Sequence, residues 1–277
     1  MTSANKNPMI FNESEYIRIP CGDYSIGLSA AVLDKAVGAL RDGAVRSEFL
    51  VNSSPEHVVH VDEVFIRKSL TTYREFLMFV RDAGYITEGE RQGWGWVWQD
   101  ERWQKKSGVC WRSPFGTSDD AGYRSSDVTP VMQISWNDAA AYCAWLSAGS
   151  GFLARLPREA EWEIFADKCG VSGMGEWVQG RCNPPLETHL MEAIREISEG
   201  GGHGTGLLWE WMEDWYDSYP GGRNHKDFGT VYKVLRGGSV LSLPVQKTRE
   251  FRLRKCPTAR SPYYGFRIAR TLNHNAS

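Results

Sequence analysis

The sequence predicts a mixed α+β fold in one domain, built from short strands, short capped helices and long ordered loops. Short alternating runs with β propensity are interleaved with segments whose apolar residues recur at helical spacing. The chain has 12 tryptophans and 28 glycines among 277 residues, a density that suits irregular segments pinned by large rigid rings. No internal repeat and no low-complexity linker divides it. Residues 1–277 are therefore expected to form one domain, with insertions around 30–52, 93–125 and 170–205.

The elements follow in order. Tyr16 to Gly27 alternates and then breaks at glycine, which reads as a strand and turn. Residues 30–51 mix small apolar residues with charges and read as a helical insertion. His57 to Ile66 reads as one strand. Thr71 or Thr72 can cap a helix whose Tyr73, Phe76, Leu77 and Val80 share a face. Trp94, Trp96 and Trp98 share one face if their segment is extended. Ser135 to Asp138 resembles a capping box with Asp in place of Glu. Leu156 to Phe165 reads as the start of a further helix, with Pro157 suited to its first turn. The last segment alternates β-like runs with arginines.

Composition excludes several function classes. A net charge of −2 gives no bulk attraction to nucleic acid or an acidic membrane. No apolar run of about 18 residues could span a bilayer, and the start of the chain lacks a secretory pattern, so a cytoplasmic location is expected. The six cysteines show no C-x-x-C spacing, which argues against a zinc knuckle and for free thiols in a reducing compartment. There is no Walker loop, no G-x-S-x-G and no H-E-x-x-H. His57 and His60, three apart on a strand, point to opposite faces.

Seven blocks in order carry a resemblance to a known family. They are Ile17-Pro20-Gly22-Gly27; Phe76-Phe79 with Gly84-Tyr85-Thr87-Glu88; Pro130-Val131 through Ser135-Trp136-Asn137-Asp138-Ala139 to Tyr142; Leu156-Pro157 with Glu159-Ala160-Glu161-Trp162-Glu163; Trp209-Glu210-Trp211 with Asp214-Trp215; Arg236-Gly237-Gly238-Ser239; and Gly265-Phe266-Arg267. Together they resemble the formylglycine-generating enzyme, or sulfatase-modifying factor, family. The resemblance implies an α+β fold of the C-type-lectin kind.

It also implies a site, from which this chain departs. Catalytic members follow Arg-Gly-Gly-Ser with two cysteines that bind Cu(I), a soft metal suited to thiolates. Here the first position is Ser242, close to Ser239, and the second is Lys247. No catalytic residue and no copper are expected. The family's calcium segment is also unrecognisable before His203, leaving Glu210 as a weak calcium candidate, too few oxygens for an ion that takes six to eight. Cys143 and Cys256 match positions that can pair in the family, so they are expected to lie close together as buried, reduced thiols.

The expected function is non-catalytic protein binding, as in family members that act as immunity proteins and neutralise toxins. Trp94, Trp96, Trp98, Trp103 and Trp111 are candidates for a binding wall, and Arg249 and Arg252 for gripping a partner. The partner is expected to be another protein, not nucleic acid or membrane. Two readings stay open: a divergent metal-dependent oxidase acting on a thiol or sulfur substrate, and a lectin-like ligand-binding module.

Overall fold

The computed structural model describes residues 12–40, 45–117, 123, 128–150, 152–180, 192–193 and 203–271. Strand β1 (Tyr16–Ile19) and strand β2 (Gly22–Ile26) are separated by Pro20 and Cys21; proline has no N–H to donate to a ladder. The segment read as a helical insertion contains two short helices, α1 (Ala30–Ala39) and α2 (Ser47–Val51).

The single strand expected over His57 to Ile66 is two strands, β3 (His57–Val61) and β4 (Val64–Arg67). They belong to different sheets: β3 pairs antiparallel with β2, and β4 with β1. Propensity registers a preference for extended backbone; it does not register which partner each half of the run meets.

Helix α3 (Tyr73–Ala83) starts with a reciprocal capping box between Thr72 and Glu75 and ends at Gly84, φ +60°. Helix α4 (Glu88–Gln92) repeats the device with Thr87 and Glu90. The hairpin of β5 (Trp94–Gln99) and β6 (Arg102–Ser107) follows. Helix α5 (Trp136–Ser150) opens where expected: the Asp138 carboxylate accepts from Ser135 N and Oγ at 3.0 and 2.8 Å, and Ser135 Oγ accepts from Asp138 N. After β7 (Leu153–Arg155) comes α6 (Glu159–Lys168), capped by Arg158. Pro157 thus precedes the cap instead of lying in the first turn as expected. Helix α7 (Met174–Val178) closes this half. The rest is strand and loop: β8 (Trp209–Trp215), β9 (Lys233–Arg236), β10 (Leu253–Lys255), β11 (Tyr264–Gly265) and β12 (Ala269–Thr271).

Two four-stranded sheets organise these elements, in the orders β1-β4-β12-β7 and β10-β9-β8-β11, beside the two-stranded β2-β3 and β5-β6. The α+β class expected is what forms. The main core joins Leu28 and Leu50 to Phe76, Trp111, Tyr142, Trp211 and Phe266. Three arginines with almost no exposed surface brace the fold, two of them against helix α6. Arg252 grips Glu159 bidentately at 2.6 and 2.9 Å, Arg236 pairs with Glu163 and donates to Phe251 O at 3.0 Å, and Arg267 pairs with Glu210 and donates to the Arg67, Lys68 and His203 carbonyls. Among the described residues no helix is long and apolar enough to cross a membrane.

Candidate functional site

The loop after β9 is shaped by two consecutive left-handed glycines, Gly237 at φ +93° and Gly238 at φ +74°. Both are also sterically required. A Cβ would lie 2.9 Å from the Trp162 ring at Gly237 and 2.8 Å from Lys247 Cγ at Gly238. The turn they start closes on itself: Ser239 N donates to Ser242 Oγ at 2.9 Å, Ser242 N donates to Ser239 O at 2.9 Å, and the two hydroxyls are 3.3 Å apart. Lys247 packs its stem against Gly238, and burial lowers its pKa.

The β5–β6 hairpin approaches this loop. Its alternation puts Trp94, Trp96 and Trp98 on one face, with Trp98 directly opposite Trp103. The two rings meet edge-on at 5.4 Å, and Trp103 leans on Tyr263 at 5.9 Å. The turn residues Asp100 and Glu101 both have positive φ, 53° and 57°, as the twist of a tight hairpin requires. On the other face the hairpin is fastened to the body. A Cβ on Gly95 would be 2.5 Å from Val109 Cγ1, buried Gln133 donates to Trp96 O at 2.7 Å, and Arg260 donates to Trp94 O at 2.6 Å.

Between hairpin and loop lies a cleft of about 310 Å³. Trp98, Trp103 and Tyr263 form its aromatic side; Ser239, Ser242 and Gln246 give the polar one. Leu241 and Leu253 add apolar surface, and Trp209 reaches it from β8. Burial raises the Tyr263 phenol pKa. Among the described residues lining the cleft there is no cysteine, histidine, carboxylate, lysine or arginine. Such a surface can stack, bury apolar groups and exchange neutral hydrogen bonds. Its hydroxyls are hard, neutral donors and do not fit the copper(I) that the resemblance implies.

The structure gathers some of the expected residues and scatters others. Trp98, Trp103, Ser239 and Ser242 converge on the cleft. Trp96 is exposed beside Trp94, whose ring lies between Lys105 at 3.9 Å and Arg260 at 4.6 Å. Trp111 is not part of a binding wall: it has no exposed surface and packs on Tyr73 and Phe76 at 5.3 and 5.2 Å. Arg252 is likewise no surface grip, because Glu159 and the Asn52 and Asp217 carbonyls consume its donors. Arg249 lies apart, 3.2 Å from Asp167, at a smaller cavity of about 220 Å³ with Tyr24 and Glu163.

Glu210 is fully buried, accepting from Arg267 and from Trp162 Nε1 at 2.9 Å. Its oxygens already serve the arginine–tryptophan contact. Cys143 is buried, and burial raises its pKa; Cys256 is exposed, and both thiols are free. Cys256, just after β10, is at the surface and is not the buried thiol expected. His189, His274, Cys182 and residues 200–202 lie outside the described residues.

Tyr263 and Leu241 went unrecognised in the sequence as site residues. Tyr263 lies two positions before Gly265-Phe266-Arg267, and Leu241 between the two serines, so proximity to the matched blocks was the available signal.

The comparisons with known proteins agree with this architecture. Residues 2–190 and 203–272 match the sulfatase-modifying factor enzyme 1-like domain. The formylglycine-generating enzyme of Streptomyces coelicolor is 30% identical over 271 residues, spanning 81% of this chain and 78% of the relative. The mouse protein named inactive C-alpha-formylglycine-generating enzyme 2 is 30% identical over 240 residues, spanning 72% of each. Among solved structures, PvdO from Pseudomonas aeruginosa superposes with a TM-score of 0.58 at 19% identity, covering 97% of this chain and 100% of that one. The fold is thus the α+β, C-type-lectin-like one expected, and the chain belongs to the sulfatase-modifying factor enzyme 1-like family.

Proposed function

We propose that this chain is a non-catalytic, protein-binding member of its family, which takes an apolar or aromatic segment of its partner into the cleft between the β5–β6 hairpin and the 239–246 loop. The observation that carries this reading is the chemistry of the cleft. Where catalytic relatives are expected to hold a thiolate pair, this chain has Ser242, hydrogen-bonded to Ser239, and Lys247. Around them stand exposed apolar side chains, Trp98 at 41%, Trp103 at 46% and Leu241 at 51%. Exposed rings clustered beside a concave, uncharged floor are the composition of a recognition surface. A mouse relative whose name calls it inactive supports a non-catalytic role. Toxin neutralisation is one such role.

The test uses the reduced protein in two arms. Selection of displayed peptides on wild type should enrich sequences centred on apolar or aromatic residues, and Trp98→Ala with Trp103→Ala should abolish the enrichment. Loading with copper(I) should leave no metal bound in the cleft and no oxygen uptake with thiol peptides. Copper retention with thiol oxidation would overturn the reading in favour of a divergent oxidase. Glycan-array binding lost with Trp103→Ala, in the absence of any selected peptide, would overturn it in favour of a lectin-like module.

A further inference from the structure

The β2–β3 hairpin plays no part in the cleft. Its antiparallel register puts Asp23 directly opposite His60 and Gly22 opposite Val61, so one further step along the ladder sets Cys21 opposite Asp62. Side chains two apart on a strand share a face. Cys21, Asp23, His60 and Asp62 therefore project from the same face, and all four are exposed.

Their atoms are already arranged. The Cys21 sulfur lies 3.5 Å from His60 Nε2, and His60 Nδ1 lies 2.7 Å from the Asp23 carboxylate. The candidate ligand atoms of Cys21, His60 and Asp62 all lie within 4.8 Å of one another. An ionised carboxylate only accepts, so Nδ1–H donates to Asp23 and the Nε2 lone pair faces Cys21.

From this juxtaposition we propose that the β2–β3 face binds a divalent transition metal of the zinc class, with Cys21, His60 and Asp62 as ligands and Asp23 orienting His60. Zinc accepts sulfur, nitrogen and oxygen donors together. Bonds of about 2.3 Å to sulfur and about 2.0 Å to nitrogen at a tetrahedral angle put those donors about 3.5 Å apart, the separation seen between Cys21 and His60. A carboxylate on the far nitrogen of a ligating histidine fixes its tautomer and orientation. Three protein ligands leave one position for water or an external donor.

Two comparisons favour this reading. A thiol–imidazole–carboxylate relay built for nucleophilic attack has no use for Asp62 and needs a substrate cleft, and none of the four residues lines either cavity described above. The other candidate cluster, Glu48 with His225 and Asp227, already holds a cation: the Arg254 guanidinium contacts both carboxylates.

The test is a Zn²⁺ titration of the reduced, metal-free full chain against a chromophoric chelator, with Co²⁺ as the spectroscopic probe. One equivalent should bind, and Co²⁺ should give a thiolate charge-transfer band with tetrahedral d–d bands. Cys21→Ser should abolish the charge-transfer band, and His60→Ala and Asp62→Asn should each weaken binding. Asp23→Asn should keep the band and lower affinity roughly 10- to 100-fold. Zn²⁺ should protect Cys21 from alkylation, while Glu48→Gln changes nothing. Circular dichroism of each variant should match wild type, because the side chains are exposed. Absence of stoichiometric binding, or binding unaffected by Cys21→Ser, would overturn the proposal.

Discussion

Around β8 and β9, Trp162 and Trp211 have no exposed surface, and Arg236 and Arg267 are paired with Glu163 and Glu210. On the β5–β6 hairpin next to them, Trp96, Trp98 and Trp103 are exposed at 39%, 41% and 46%, with Lys105 stacked on Trp94. Both regions are rich in tryptophan and cations. They differ in what covers the second face. In the first, sheet and helix close from both sides, so each charge must meet a partner inside. In the second, one face is fastened by Gly95, Gln133 and Arg260 and the other is left uncovered. The closed region holds the fold, and the open one offers a surface.

The largest expected effect would break the closed region. Arg267→Ala leaves Glu210 buried without its cation, and should cost roughly 3–5 kcal/mol in chemical denaturation. A loss below about 1 kcal/mol would show that this pair behaves like a surface contact and would erase the contrast.

Glu250 sharpens it. The half-buried Arg249 lies 3.5 Å from this buried carboxyl, which accepts from Met174 N at 2.8 Å. Burial first, and Glu163 second, push it up to about 7. An unfolded glutamate titrates near 4.3, so the folded state holds the proton more tightly. Stability should therefore rise as pH falls from about 7 toward 4.5, and be lost as pH rises through about 7, by on the order of 3 kcal/mol. Asp214, raised to about 6 by burial and by Glu159, acts in the same direction. Denaturation midpoints at pH 5 and pH 8 should differ less for Glu250→Gln than for wild type; an unchanged difference would exclude Glu250 as the group responsible.

In the open region the effects are smaller. Glu101 sits at φ +57° in the hairpin turn, so Glu101→Gly should stabilise the protein by about 1 kcal/mol by removing the left-handed penalty. Thermal denaturation would show it, and a destabilised variant would mean the turn tolerates the side chain without strain. Trp103→Ala should change stability least, by under about 1 kcal/mol for a half-exposed ring, while removing peptide selection. A large loss of stability would make this tryptophan a core residue and the hairpin a packing element.

Local features were legible before the structure. The Ser135–Asp138 cap, a helix cap at Thr71 or Thr72 and the shared face of Trp94, Trp96 and Trp98 each depend on spacing within a few residues. The cleft was only half legible. Ser239 and Ser242 stood out because reactive residues were expected there, whereas Tyr263 and Leu241 came into view only when the hairpin was placed against them. The pairing of Cys21 with His60 was invisible for the same reason, since the register of two separate strands sets it.

Residue types, short-range spacing and the family resemblance settled the α+β class, the helix start at Ser135–Asp138 and the presence of hydroxyl and lysine where thiols were expected. Only the folded chain separated Trp111 from Trp103 and Arg252 from an exposed arginine. Helix capping and strand alternation are set by neighbours a few positions away. Burial and ion pairing are set by partners far along the chain, as when Arg252 donates to the Asn52 carbonyl at 2.6 Å across 200 residues.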